Sequence, residues 1–196
     1  MTIRRISKGE SRIVLAIPAF GIVIKCARVH FWPFKDLYSN VVGMGKEMLP
    51  NPDPEVRAMY WEFVRGSIRR CLRQFFKGVA ENWNERSYFK HTNALARLFL
   101  QPTYLSVFGI ANIQRYGEPI SEDRNIEVCM AFYKVAGQAL VHDSHHWTHA
   151  RNFHLAADGP KALDYGNRST QKIISNFGFV IYRDFEKIRL AQQKTA

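Results

Sequence analysis

Short apolar runs open the chain and longer amphipathic ones follow. Residues 3–7, 12–17 and 21–27 are rich in Ile and Val, and Lys8-Gly9-Glu10 and Pro18-Ala19-Phe20-Gly21 divide them as turns. The pattern predicts strands, the second and third forming a hairpin. Residues 30–54 hold Pro33, Gly43, Gly45, Pro50, Pro52 and Pro54, so loop or short helix at most is expected there. From Glu55 the spacing changes. Met59, Tyr60, Phe63, Val64, Ile68, Leu72, Phe75 and Phe76 recur at helical intervals, with Arg65, Arg69, Arg70, Arg73 and Lys77 between them. A second helix is expected over 84–99, with Leu95, Leu98 and Phe99 on its buried side and Pro102 ending it.

Two further strands are expected over 104–108 and 111–116, around Gly109. Residues 127–141 are rich in Ala and Val, lack Pro and follow the acidic opening Ser121-Glu122-Asp123, which predicts a helix. A short hairpin over 153–156 and 161–163 turns through Ala157-Asp158-Gly159-Pro160, and 170–193 reads as one helix or two. The order of elements is that of an α+β protein.

Charge changes this ordinary picture. With 28 Lys and Arg against 17 Asp and Glu, the net charge is +11, which favours a nucleotide, nucleic acid, anionic lipid or acidic protein as partner. The three cysteines, Cys26, Cys71 and Cys129, are too widely spaced for a disulfide framework or a C-x-x-C metal pair. The apolar run over 13–24 is broken by Pro18 and Gly21 and is too short to span a bilayer. A soluble, cytoplasmic protein without a transmembrane segment is expected.

Candidate chemistry concentrates near the second hairpin. Asn152 and Asp164 stand at its two ends, so the turn brings an amide oxygen and a carboxylate together, a pair able to share a hard cation such as Mg²⁺. Gly166, two residues on, allows close backbone approach. With His149 three residues before Asn152, and with Asp164-Tyr165-Gly166, this stretch resembles the catalytic-loop Asn and the metal-binding Asp-Phe-Gly element of the protein-kinase-like superfamily. The N-terminal segment resembles the same family: Gly9-Glu10-Ser11-Arg12-Ile13-Val14 looks like its glycine loop, and Ile22-Val23-Ile24-Lys25 like its Lys-bearing strand.

The resemblance implies a small, atypical kinase-like protein of bacterial or phage type. Its abbreviated two-lobed fold would comprise an N-terminal lobe over 1–120, with a helical insertion at about 55–80, and a truncated, mainly helical C-terminal lobe over 121–196. It implies ATP and Mg²⁺ as cofactors, Gly9 and Lys25 at the nucleotide phosphates, Glu85 (Glu81 in reserve) as partner of Lys25, and Asn152 and Asp164 on the metal. The family's catalytic Asp should stand five residues before the Asn, where this chain has Trp147. Either the loop carries an insertion and Asp143 serves as base, or the base is missing and the chain is a pseudokinase.

These residues leave three functions open. The first is ATP-dependent phosphoryl transfer to an unidentified acceptor. An inactive kinase-like protein would instead engage an acidic protein through Arg65, Arg69, Arg70 and Arg73. A basic nucleic-acid-binding domain is the third. His142, His145, His146 and His149 would also form one stripe on a continuous helix and could ligate Zn²⁺, although Trp147-Thr148 looks like the end of that helix.

Overall fold

A computed structural model describes residues 3–8, 11–51 and 53–194. Its elements run β1 (Arg4–Lys8), β2 (Arg12–Ile17), β3 (Ile22–Ala27), α1 (Trp32–Met48), α2 (Pro54–Phe75), α3 (Lys77–His91), α4 (Ala94–Leu98), β4 (Thr103–Val107), β5 (Ala111–Arg115), α5 (Glu122–Ala136), a 3-10 stretch (Gly137–Asp143), α6 (Ser144–Trp147), β6 (Phe153–Ala156), β7 (Gly159–Ala162) and α7 (Arg168–Lys194). The class is α+β, as the pattern predicts. The first five strands form one antiparallel sheet in the order β1-β2-β3-β5-β4, and β6 pairs with β7 separately.

Register decides what the sheet buries. Val14 lies opposite Lys25, which lies opposite Asn112, while Val23 faces Gln114 and Gln114 faces Thr103. Because side chains alternate along a strand, Arg12, Lys25, Asn112, Gln114 and Thr103 share one face. All five are buried. Helix α3 packs on that face, and its own buried positions, Gly78, Asn82 and Glu85, are small or polar too. Several of the Ile and Leu residues that predict the strands, Ile13, Leu15, Ile24 and Ile113, lie on the opposite face and are only partly buried.

The apolar core lies in the second half of the chain. Phe99, Phe132, Trp147 and Phe153 interlock there, with Leu100, Val128, Leu140 and Ile174 around them. Phe99 stacks on Trp147 at 6.1 Å between ring centroids, and Phe132 meets Phe153 edge-on at 4.8 Å. Strand β7 joins this core to the sheet side: Ala162 accepts from Gln101 N–H and donates to Phe99 C=O.

Three sequence expectations are corrected. The segment expected to be loop contains the 17-residue helix α1. Pro33 sits in its first turn, where a missing N–H costs nothing, and Pro50 and Pro54 fall beyond its end. Gly45 is needed for packing, since a Cβ there would lie 2.9 Å from the Tyr60 hydroxyl. The helical segment between β3 and α3 therefore comprises both α1 and α2.

The expected 84–99 helix is two helices, α3 and α4, with Leu95 and Leu98 exposed and Phe99 buried. The Asn93 side chain caps the N-terminus of α4 by accepting from Ala96 N–H. The helix expected over 127–141 begins earlier and gives way to 3-10 geometry at Gly137, whose φ is 49°.

Candidate functional site

Charged side chains on β2, β3 and α3 meet at the inner face of the sheet. Lys25 Nζ reaches both Glu85 carboxylate oxygens, at 3.0 and 2.9 Å, and also donates to the Leu163 carbonyl. Arg12 donates to Glu85 at 2.8 Å and pairs with Asp164. Thr103 Oγ1 at 3.3 Å and Asn112 Nδ2 at 3.5 Å also donate to Glu85, which is wholly inaccessible to solvent. A buried carboxylate is tolerable only with such partners. Glu81 accepts from Ser11 Oγ and lies 3.7 Å from Arg12 Nε, so it belongs to Arg12 rather than to Lys25.

From the other side, the β6–β7 hairpin brings up Asn152 and Asp164. Leu163 N–H donates to the Asn152 carbonyl at 2.7 Å, which fixes the two ends of the hairpin side by side. Tyr165 lies buried against the sheet. Its hydroxyl donates to Gln101 C=O at 2.7 Å and meets Thr103 Oγ1 at 2.7 Å. At Gly166 a Cβ would lie 2.7 Å from the Glu81 carbonyl of α3, so this position has no room for a side chain.

Between these parts lies a cavity of about 290 Å³, near the lower end of the ~300–1,000 Å³ usual for small-molecule sites. Lys25, Asn152 and Asp164 all line it, so three predicted site residues share one cleft. Five cationic side chains, Arg12, Lys25, Lys77, Arg115 and Arg151, line it against two carboxylates, Glu81 and Asp164. Val14, Val23 and Leu163 add an apolar wall. The fourth predicted residue, Glu85, stands behind Lys25 and holds it.

The charges set one another. Burial alone would raise the pKa of Asp164, but Arg12, then Lys25 and His146, outweigh it and hold that carboxyl well below its usual range. Asp164 keeps 38% exposure on the cavity side, so neighbouring charge decides its ionisation more than desolvation does. Burial pulls Lys25 below the usual lysine value against the attraction of Glu85, and Arg12 pushes in the same direction as burial. Burial also opposes the charge on Arg12, yet Asp164, Glu85 and Glu81 reverse that and raise its pKa.

Two expected roles separate from the cleft. Asp143 does not line it: its carboxylate accepts from the buried Thr170 hydroxyl at 2.5 Å, tying the 3-10 stretch to the start of α7. Trp147, at the position where the resemblance expects a catalytic acid, is buried in the aromatic core. Gly9 lies outside the described residues. The stretch bearing the four histidines is not one continuous helix, because 3-10 geometry through Asp143 gives way to the four-residue α6. The side chains of His142 and His145 lie outside the described residues, and among those described no three His, Cys, Asp or Glu side chains form a metal cluster.

Both members of the pair assigned to Mg²⁺ already have partners. Asn152 Nδ2 donates to the His146 carbonyl at 2.8 Å, leaving its Oδ1 as one neutral ligand. The other ligand, Asp164, already carries the Arg12 guanidinium. A Mg²⁺ ion would have to share that carboxylate with the guanidinium, which holds one of its two oxygens.

The sequence pattern gave Arg12 no role of its own and placed His146 only in a histidine stripe. A lone arginine opening an otherwise apolar strand was the available signal for the first. His146 lines the cavity, and its Nε2 is buried with no hydrogen-bond partner. Arg65, Arg69, Arg70 and Arg73 lie on α2, exposed and away from the cavity lining. No family model, curated protein or solved structure matches the chain.

Proposed function

We propose that the chain is a nucleotide-binding protein of kinase-like type, in which an arginine rather than a divalent ion answers the acidic residue of the cleft. The observation that carries this reading is the lining of one cavity by Lys25, Asn152 and Asp164, with Glu85 behind the lysine and Arg12 on the aspartate. The excess of cationic lining suits a polyphosphate, and the wall of Val14, Val23 and Leu163 suits a flat base. Binding without transfer is favoured because Trp147 is core and Asp143 is engaged by Thr170 outside the cavity.

The test is a thermal-shift titration of the full chain with ATP, in EDTA and then in Mg²⁺. A rise in Tm without Mg²⁺ is expected, since a ligand that binds only the folded state stabilises it by mass action. Lys25→Met should remove the shift, and Arg12→Gln should make it depend on Mg²⁺. No shift with or without the metal would end the nucleotide reading. A shift in the wild type only with Mg²⁺ would end the role given to Arg12.

One observation favours phosphoryl transfer as a second reading: His146, whose buried Nε2 has no hydrogen-bond partner, lines a cavity that also holds Asn152. His146 would then take the proton of the acceptor hydroxyl in place of Asp143. ATP turnover that His146→Gln abolishes, with nucleotide binding retained, is the expected result. Turnover unaffected by that change would remove His146 from the reaction.

A further inference from the structure

Helices α1 and α2 form an antiparallel hairpin that leaves the body of the protein between β3 and α3. Its two arms hold each other: Gly45 abuts Tyr60, the Tyr60 hydroxyl donates to Val41 C=O, and Phe34 meets the Phe75 ring at 5.1 Å. Pro33, Gly45, Tyr60, Val64 and Cys71 make up the buried contact. A hairpin of this kind needs one apolar stripe per helix. This one carries two.

The second stripe faces outward. On α1 it comprises Phe34, Tyr38 and Val42, one turn apart, with exposures of 37, 70 and 36%. On α2 and its C-cap it comprises Trp61, Ile68, Leu72 and Phe76, at 54, 42, 44 and 50%. At about 3.6 residues per turn, each stripe lies just beyond its helix's buried arc in the direction of increasing residue number. Antiparallel packing brings both to the same side of the hairpin. The Phe34–Phe75 contact lies between them, whereas a cavity of about 170 Å³ lined by Asp36, Asn40, Ser67 and Arg70 opens on the opposite side.

Cations run along both outer margins of this apolar face. Lys35 and Lys46 lie on the α1 margin, and Arg65, Arg69 and Arg73, each one turn from the next, lie on the α2 margin. The acids of that side, Glu55 and Glu62, lie toward the connecting loop, so positive charge dominates nearer the sheet. We propose that this face of the α1–α2 hairpin is a docking surface for an anionic membrane, lying parallel to the bilayer with its aromatic side chains among the headgroups.

Charge complementarity commits the surface to an anion, and its apolar centre commits it to a lipid one. Trp and Tyr are suited to the boundary between headgroup and acyl chain, while flanking Lys and Arg hold the phosphates. A second copy of the chain would set its own lysines and arginines against these. A peptide helix would need a groove, and the hairpin's small cavity lies on the other side. Among the described residues no helix is long and apolar enough to cross a membrane, so the contact is peripheral.

Co-sedimentation of the full chain with vesicles tests this. Vesicles of phosphatidylcholine and phosphatidylglycerol in equal parts should carry the protein down, and pure phosphatidylcholine should not. Reversing Arg65, Arg69 and Arg73 to Glu should weaken binding on the order of a hundredfold. The paired change Trp61→Ser and Leu72→Ser, at exposed positions that leave the fold intact by circular dichroism, should weaken it about tenfold or more. Arg70→Glu, on the opposite side, should leave it unchanged. No binding to the anionic vesicles overturns the proposal. Binding that survives the serine changes also overturns it, and tighter capture of a DNA duplex than of vesicles assigns the arginines to nucleic acid instead.

Discussion

The two halves of this molecule are built on opposite principles. Beneath the sheet, the buried side chains include Arg12, Lys25, Glu85, Asn82, Asn112, Gln114 and Thr103; around α5 and α7 they include Phe99, Phe132, Trp147 and Phe153. An aromatic cluster is worth its buried area wherever it forms. A buried ionic cluster contributes little net stability, because desolvation cancels most of the attraction, yet removing one member is costly. The helical half therefore carries the stability of the fold, and the sheet half holds charged groups at fixed positions around the cavity.

The sharpest way to test this contrast is to damage each half and measure both stability and ligand response. Trp147→Ala should cost about 3–5 kcal/mol in urea denaturation while leaving the residual folded protein able to bind ATP. Glu85→Ala leaves Arg12 and Lys25 facing each other without their shared carboxylate and should cost about 3–5 kcal/mol, with the ATP-induced shift lost as well. If Trp147→Ala removed ligand binding as completely as Glu85→Ala, the two halves would not be separable in this way.

Thr103→Val is a gentler probe. It deletes a hydroxyl that serves both Glu85 and Tyr165 and should cost about 1 kcal/mol in the same denaturation experiment.

The smallest effect concerns acid. Because Asp164 is held below its usual range, its ion pair stabilises the fold fully above the ordinary carboxylate pKa. That contribution is lost as pH falls through the depressed folded value. Melting temperatures of the wild type should therefore fall more steeply at acid pH than those of Asp164→Asn. Parallel acid limbs would show that the pair contributes nothing to folding.

The same contrast explains what could be read from the chain. The strands were legible because Ile and Val alternate or run together; 12–17 as expected coincides with β2. Which face they bury was not legible, since the more apolar face is the more exposed one. Helix α3 escaped detection as a unit because its inward stripe, Gly78, Asn82 and Glu85, has no apolar period. The proximity of Asn152 and Asp164 followed from a short turn, which is local information. The pairing of Arg12 with Asp164, 152 positions away, depends on how the hairpin meets the sheet and has no local signature. Helix α1 was hidden by its prolines, although one in the first turn is well tolerated whereas one in the middle costs about 3 kcal/mol.

The place taken by Trp147 also constrains how this chain can change. Its indole is sealed among Phe99, Phe132 and Phe153, and a carboxylate put there by a single codon's worth of revision would enter an aromatic box with the ring's volume left vacant. Both penalties, several kcal/mol each, would fall on the half of the protein that keeps it folded. Packing therefore bars an acid from this position.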